Sequence, residues 1–475
     1  MKTTNLKPGI LIITFLLMTT ITYSFFKSSK HLSDTPPPSD VELQYNSKNK
    51  QETAKSKISF ATSFENDYYT DNEKEGYFYA EVKADKYYNE NAIQRPLNIS
   101  LVIDRSGSMI GDKLENAKKA AKHLVDQLND DDYISIIIYD DVVDVLQPAI
   151  RPYNKEMIKQ KIDHIQYRNS TNLMGGAEAG YNQVKRNYNE RYINRVLLLS
   201  DGLANEGITN PREIKRIVRN HTNKEGISIS TFGLGADYNE DLMTSMAEAG
   251  MGNYYFINHA EDIAGIFRKE LNGLKEVVAQ NVQLNIQIPQ YMNIEKIYGA
   301  NYDFNGNTIK INMRDIFSEE TRGVLIKYSI RHIQNKPISI YSTLTYIDVE
   351  KDRQEQLSLV SDIKYTNDYH VFNKHFNEWV STQIALNISN EKLEEAMKEV
   401  DRGNYERAKE IIKDNDEYIS SKGDLVNKSI ELQKAKKANN IYDMNIDAAP
   451  SMSEPERKVM QKASKNESYL LRNKK

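Results

Sequence analysis

Cysteine is absent from the 475 residues. That excludes disulfides and an acylated lipoprotein cysteine, and it leaves any metal site to oxygen or imidazole donors. Long basic runs are also missing, and the formal net charge is −4. Nothing therefore points to a nucleic-acid partner. The eight histidines are scattered and form no ligand pair at helical spacing, which suits structural or surface roles. What is present fits a soluble globular chain, with 27% charged and 39% hydrophobic residues. The length implies two to four domains. Tyrosine is common, with 30 copies; alongside many Asn, Lys and Ile this reads as biased composition rather than a stacking surface.

The N-terminus differs from the rest. Lys2 and Lys7 precede an uncharged stretch from Pro8 to Phe26 that contains "GILIITFLLM". Residues 1–27 read as a secretory signal or a membrane anchor, and export with an uncleaved anchor is the expectation. Thr22 and Ser24 offer a weak cleavage signal, and Lys27 and Lys30 leave orientation nearly undecided. Residues 28–57 are polar, carry Pro36, Pro37 and Pro38 in a row, and read as a disordered tether.

Residues 58–94 hold strand-like alternation in "KISFATSF" and "GYFYAEVKA". From 95 to 278 strands and helices alternate. The strands are "PLNISLVID", "YISIIIY", a short "VVDVL", "NRVLLLSDG", "GISISTFGLG" and "NYYFI". Between them lie a helix capped by Asp112 with Glu115 in a capping box, one near 155–165, one over Ala177–Tyr188, one started by Asn210, Pro211 and Glu213, and a last from Glu261 to Val278. "YRNSTNLMGG" reads as a loop. The fold class is α/β: a doubly wound, mostly parallel six-stranded sheet. Residues 279–366 return to strands and predict a β-sandwich, onto which 58–94 would fold, making the α/β unit an insertion. Residues 367–446 predict a helical hairpin region with Gly403 and Tyr405 at its turn, and Phe372, Phe376 and Trp379 on the apolar stripe of its first helix. The tail 447–475 reads as disordered.

Ligands of a doubly wound sheet sit beyond the carboxyl ends of the strands, where the order reverses. With the order 3-2-1-4-5-6, the first and fourth strands meet there. The first ends at Asp104 and leads to Ser106 and Ser108; the fourth ends at Asp201; Thr171 lies in the loop aimed at the same rim. Two carboxylates and three hydroxyls form an oxygen-only set suited to Mg²⁺ or Mn²⁺, with Ca²⁺ less suited. Two aspartates only just balance a divalent ion, so the metal stays electrophilic and welcomes an acidic oxygen from outside.

"DRSGS" (104–108), Thr171 and Asp201 match the D-x-S-x-S…T…D pattern of the von Willebrand factor A domain, its metal-ion-dependent adhesion site. "GDKLENAKKAAKHLVDQL", "SDGLANEG" and "ISTFGLG" are typical of it too. The resemblance covers about 95–275. It implies a Mg²⁺ site with Asp104, Ser106, Ser108, Thr171 and Asp201 as ligands, the aspartates often acting through water, and a protein partner that presents Asp or Glu. The domain order resembles bacterial exported proteins of this family and, more loosely, inter-alpha-trypsin inhibitor heavy chains.

The expected function is non-enzymatic: an exported, metal-dependent protein-binding module held at the membrane by its N-terminal segment. One alternative is an assembly component of an envelope complex with no metal-dependent ligand. A remoter one is a metal-dependent phosphohydrolase, which would need a second Asp where Ser106 stands. A serine hydrolase is disfavoured because no G-x-S-x-G elbow surrounds Ser106 or Ser108. Asp140 and Asp141 read as a solvated turn, and Asn205 and Glu206 as either a plain loop or part of the ligand face.

Overall fold

The computed structural model describes residues 57–86, 95–168, 170–300, 302–331 and 335–472. The apolar N-terminal segment and the tether up to residue 56 lie outside the described residues. No described helix is long and apolar enough to cross a membrane.

Six strands form the α/β sheet in the spatial order 143–150, 133–139, 97–104, 193–200, 228–234 and 251–257. In sequence terms this is 3-2-1-4-5-6. All neighbours are parallel except 143–150, which runs antiparallel along one edge. Pro148 lies in that edge strand, where a missing N–H is tolerated. The central strand Leu97–Asp104 is buried throughout, and its side chains alternate between two cores. Leu97, Ile99, Leu101 and Ile103 meet the helices 112–126 and 263–275 on one face. Val102 meets the helix 173–186 on the other.

Several helix boundaries differ from the sequence pattern, for local reasons. Gly111, at φ 79°, caps the helix 112–126, so Asp112 is its first residue rather than its cap. The third helix begins at Leu173 inside the expected loop, because Asn172 accepts the Gly175 N–H and caps it. The helix 263–275 stops short of the expected Val278, and the β-branched pair Val277 and Val278 opens the next strand instead.

Two further sheets pack face to face. One holds strands 58–64, 75–84, 321–330 and 292–298; the other holds 302–305, 308–317, 277–287, 338–348, 353–365 and 68–69. Strand 75–84 pairs with 321–330 from Lys83 opposite Thr321 to Glu75 opposite Ser329. Strands on either side of the α/β unit thus share one sheet. Alternate inward residues such as Phe78, Leu284, Ile326 and Leu344 fill the space between.

The helices 378–401, 405–420, 423–428, 430–448 and 454–472 follow. Gly403, at φ 78°, makes the turn between the first two. Phe372, Phe376 and Trp379 do not share one helix. Asn377 caps the helix that Trp379 enters, and Phe372 lies on a separate short helix, 369–373. Trp379 meets Tyr79 edge-on at 4.9 Å.

The expected disordered tail is instead the last helix. Glu456 closes its start by accepting the Ser453 N–H at 2.9 Å and the Ser453 hydroxyl at 2.7 Å. The helix then docks on the α/β unit. Tyr469 packs edge-on against Tyr254 at 5.6 Å, and Lys462 donates to the Tyr238 carbonyl at 2.8 Å. Its anchors are a tyrosine and a buried lysine, so the aliphatic periodicity that marks a docked helix is weak.

Helix 173–186 approaches the sheet through Gly180. A Cβ there would stand 2.7 Å from Val102 Cγ2 and 3.1 Å from Val196 Cγ1. Gly180→Ala is therefore expected to destabilise the protein by about 1–3 kcal/mol through overpacking, despite alanine's better helix propensity. A urea midpoint equal to or above wild type would contradict this contact.

Candidate functional site

Register brings the site together. Ile103 pairs with Leu199, which leaves Asp104 beside Ser200 at the strand ends, with Asp201 next. Asp104 is buried and saturated with donors. The Ser106 N–H reaches its Oδ1 at 2.8 Å, Ser200 Oγ donates to Oδ2 at 2.7 Å, and the Tyr139 hydroxyl lies 3.4 Å from Oδ2. Burial pushes the Asp104 carboxyl up to about 6; the Ser106 and Ser200 hydrogen bonds oppose that rise, and the nearby Asp201 charge adds to it. Burial and the Asp104 charge raise the Tyr139 phenol well above its usual value, so it stays a neutral donor.

The hydroxyls follow in a chain. Ser106 Oγ lies 3.1 Å from Ser108 Oγ, and Ser108 Oγ donates to Asp201 Oδ1 at 2.6 Å. Thr171 is tied to the loop after Asp201. Its N–H donates to Asn205 Oδ1 at 2.8 Å, and its carbonyl accepts the N–H groups of Asn205 and Glu206. Gly202 shows where these oxygens point. A Cβ built on it would lie 3.4 Å from Ser108 Oγ, 3.4 Å from Thr171 Oγ1 and 4.0 Å from Ser106 Oγ. Three hydroxyls from two separated loops thus face one small volume that a glycine keeps open. Asp104, Ser106, Ser108, Thr171 and Asp201 all gather at one rim.

This set fits a small hard cation. The donors are oxygens, two are carboxylates with no exposed surface, and a divalent ion would offset the cost of burying both charges. His, Cys, Asp and Glu alone form no cluster of three among the described residues. The hydroxyls, not a carboxylate cage, would complete the coordination.

Asp140 is not the solvated residue that the sequence pattern predicts. It is fully buried and holds Arg105, with Nε to Oδ2 at 2.5 Å, while Arg105 Nη2 reaches Asp144 at 2.6 Å. The Asp140 carbonyl accepts the Asn172 N–H at 2.7 Å, and the Arg105 carbonyl accepts the Arg168 N–H at 2.8 Å. This pair stitches the loops of Ser106 and Thr171 together. Asn205 is part of the site's support, through its bond to Thr171. Sequence reasoning missed Ser200, Tyr139 and Lys113. Lys113 donates to Asp201 Oδ2 at 2.6 Å. The "LLLSDG" stretch does place a hydroxyl one residue before Asp201, but nothing in the pattern reveals that it turns toward Asp104.

Comparison with known proteins bears on the fold that carries this rim. Residues 98–269 match the family described as the von Willebrand factor type A domain. The Escherichia coli protein YfbK is 34% identical over 192 residues, covering 40% of this chain and 33% of YfbK. Inter-alpha-trypsin inhibitor heavy chain H3 of Rattus norvegicus is 27% identical over 201 residues, covering 41% of this chain and 22% of that protein. The matches thus span a third or less of these relatives' own length. Among solved structures, a von Willebrand factor type A protein from Catenulispora acidiphila superposes with a TM-score of 0.66 at 15% identity, covering 84% of this chain and 91% of that one. The ArnB paralog VWA2 from Sulfolobus acidocaldarius gives 0.59 at 16% identity, covering 86% and 98%. Such coverage extends the shared fold beyond the α/β unit.

Removing the buried partner of Arg105 should loosen the site without touching its oxygens. Asp140→Ala is expected to cost about 3 kcal/mol in chemical unfolding, because Arg105 keeps only the half-exposed Asp144. A loss below about 1 kcal/mol would show that the pair does not hold the loops.

Proposed function

We propose that the domain at 98–269, which matches the von Willebrand factor type A family, binds another protein through a divalent cation held at the rim of the parallel sheet. The convergence of Ser106, Ser108 and Thr171 on the space above Gly202, backed by Asp104 and Asp201, carries this reading. Ser106, Ser108 and Thr171 would hold Mg²⁺ or Mn²⁺ through their hydroxyls. Both Asp104 oxygens are already engaged, which suits a carboxylate that acts through water. When bound, the cation supplies an electrophilic position for an Asp or Glu side chain of the partner.

The chain's own residues do the rest. Asp104 fixes the Ser106 backbone through the strand tip. Tyr139 and Ser200 hold Asp104 in one orientation. Asn205 and the Arg105–Asp140 pair set the Thr171 loop against the Ser106 loop. This arrangement positions an ion and involves no nucleophile, so the proposed role is recognition rather than catalysis. The uncharged stretch from Pro8 to Phe26 supports export and membrane attachment, with the domain displayed outside the cytoplasm.

Calorimetric titration of the protein with Mg²⁺ or Mn²⁺ should show binding and a rise in melting temperature. Asp104→Ala and Ser106→Ala should each weaken it at least about tenfold, some 1.4 kcal/mol. The reading fails if wild type shows no response, or if Asp104→Ala responds identically.

A further inference from the structure

Lys113 is the feature of this site that the proposed function does not use. It lies in the first turn of helix 112–126, where the helix dipole favours acidic residues, as Asp112 and Glu115 illustrate. A lysine there works against its own helix. Its side chain instead crosses to the rim and ends 2.6 Å from Asp201 Oδ2. Its Cε and Nζ pass beside Gly235, where a Cβ would lie in ordinary contact with both at 3.6 Å. Arg105 is nearer in sequence to Asp104 but is committed to Asp140 and Asp144. Among the described residues, Lys113 is thus the cation that lies within ion-pair distance of either rim carboxylate.

The charge balance has a consequence. Asp201 is fully buried, and its two oxygens are taken by Ser108 and Lys113. A divalent ion entering here must share Asp201 with an ammonium group. Once it has entered, two carboxylates, one ammonium and one divalent cation leave a single net positive charge. Without Lys113 the loaded site would be neutral. Building on the metal-dependent reading above, we propose that Lys113 is an internal counter-cation that couples metal loading to capture of an outside carboxylate. It weakens the ion's hold when no acidic partner is present, and it makes the loaded site demand one. Metal and carboxylate then strengthen each other's binding reciprocally.

The test is Mg²⁺ titration of the full chain, wild type, Lys113→Met and Lys113→Arg, in chloride and in acetate at matched ionic strength, with acetate as the carboxylate probe. In chloride, Lys113→Met should bind Mg²⁺ about tenfold or more tightly than wild type. Acetate should tighten Mg²⁺ binding by wild type and Lys113→Arg several-fold more than it tightens binding by Lys113→Met. In chelator, Lys113→Met should melt lower than wild type, because Asp201 loses its counter-charge, and Mg²⁺ should restore more of its melting temperature. A purely structural ion pair would lower the melting temperature while leaving Mg²⁺ affinity and its acetate response unchanged, and that result overturns the proposal. No Mg²⁺ binding by any of the three proteins overturns the metal reading itself, and this assignment with it.

Discussion

The pairing of the first and fourth parallel strands is the constraint on which the site depends. Ile103 opposite Leu199 places Asp104 level with Ser200. A slip of one residue would take Asp104 out of level with Ser200 and cross-wire the two cores. The register is held from both sides, since Leu101 and Ile103 enter one core while Val102, Val196 and Leu198 enter the other. Hydrophobic packing thus determines where two charges stand. The polar bonds at the rim refine that position but do not set it.

Burying two carboxylates at one rim carries an electrostatic cost, seen in the Asp104 carboxyl, which burial pushes up and the Asp201 charge pushes further. The chain meets part of it with neutral donors, Ser106, Ser200 and Tyr139, and part with the ammonium of Lys113. Neutral donors orient a carboxylate without cancelling its charge, so the site keeps its pull on cations. The Lys113 ammonium cancels charge only where it touches Asp201. Buried Arg105 is kept out of this balance by its own acid, Asp140.

Much of this was legible in the sequence. Strand order followed from alternation and the rule for switch points, and the five rim residues followed from their places at strand ends and in the loop before the third helix. What stayed hidden is long-range and unpatterned. Lys113 looks like one more solvated helix charge until strand 193–200 brings Asp201 to it. Asp140 beside Asp141 looks like a hydrophilic turn, yet only the second is exposed. The tail looked disordered because Lys462 and Tyr469 bury themselves without an aliphatic stripe. Each miss comes from a polar residue whose partner lies far away in sequence.

The last helix solves a problem that the α/β sheet cannot solve alone. Strand 251–257 is an edge, with backbone groups open to pairing. Tyr469 places its hydroxyl 3.2 Å from the Tyr254 N–H and covers that ring edge-on. The sandwich, by contrast, grips the opposite end of the strands from the rim: Arg95, just before strand 97–104, pairs with Asp352 at 2.6 Å, and Arg191, before strand 193–200, pairs with it at 3.2 Å. Eight residues of strand separate that end from Asp104, roughly 25 Å of rigid backbone. One end of the sheet is anchored and one edge is capped, and neither contact falls at the carboxyl rim. An insertion built this way holds its rim at the end farthest from its attachment, so the support can be extensive without covering the rim.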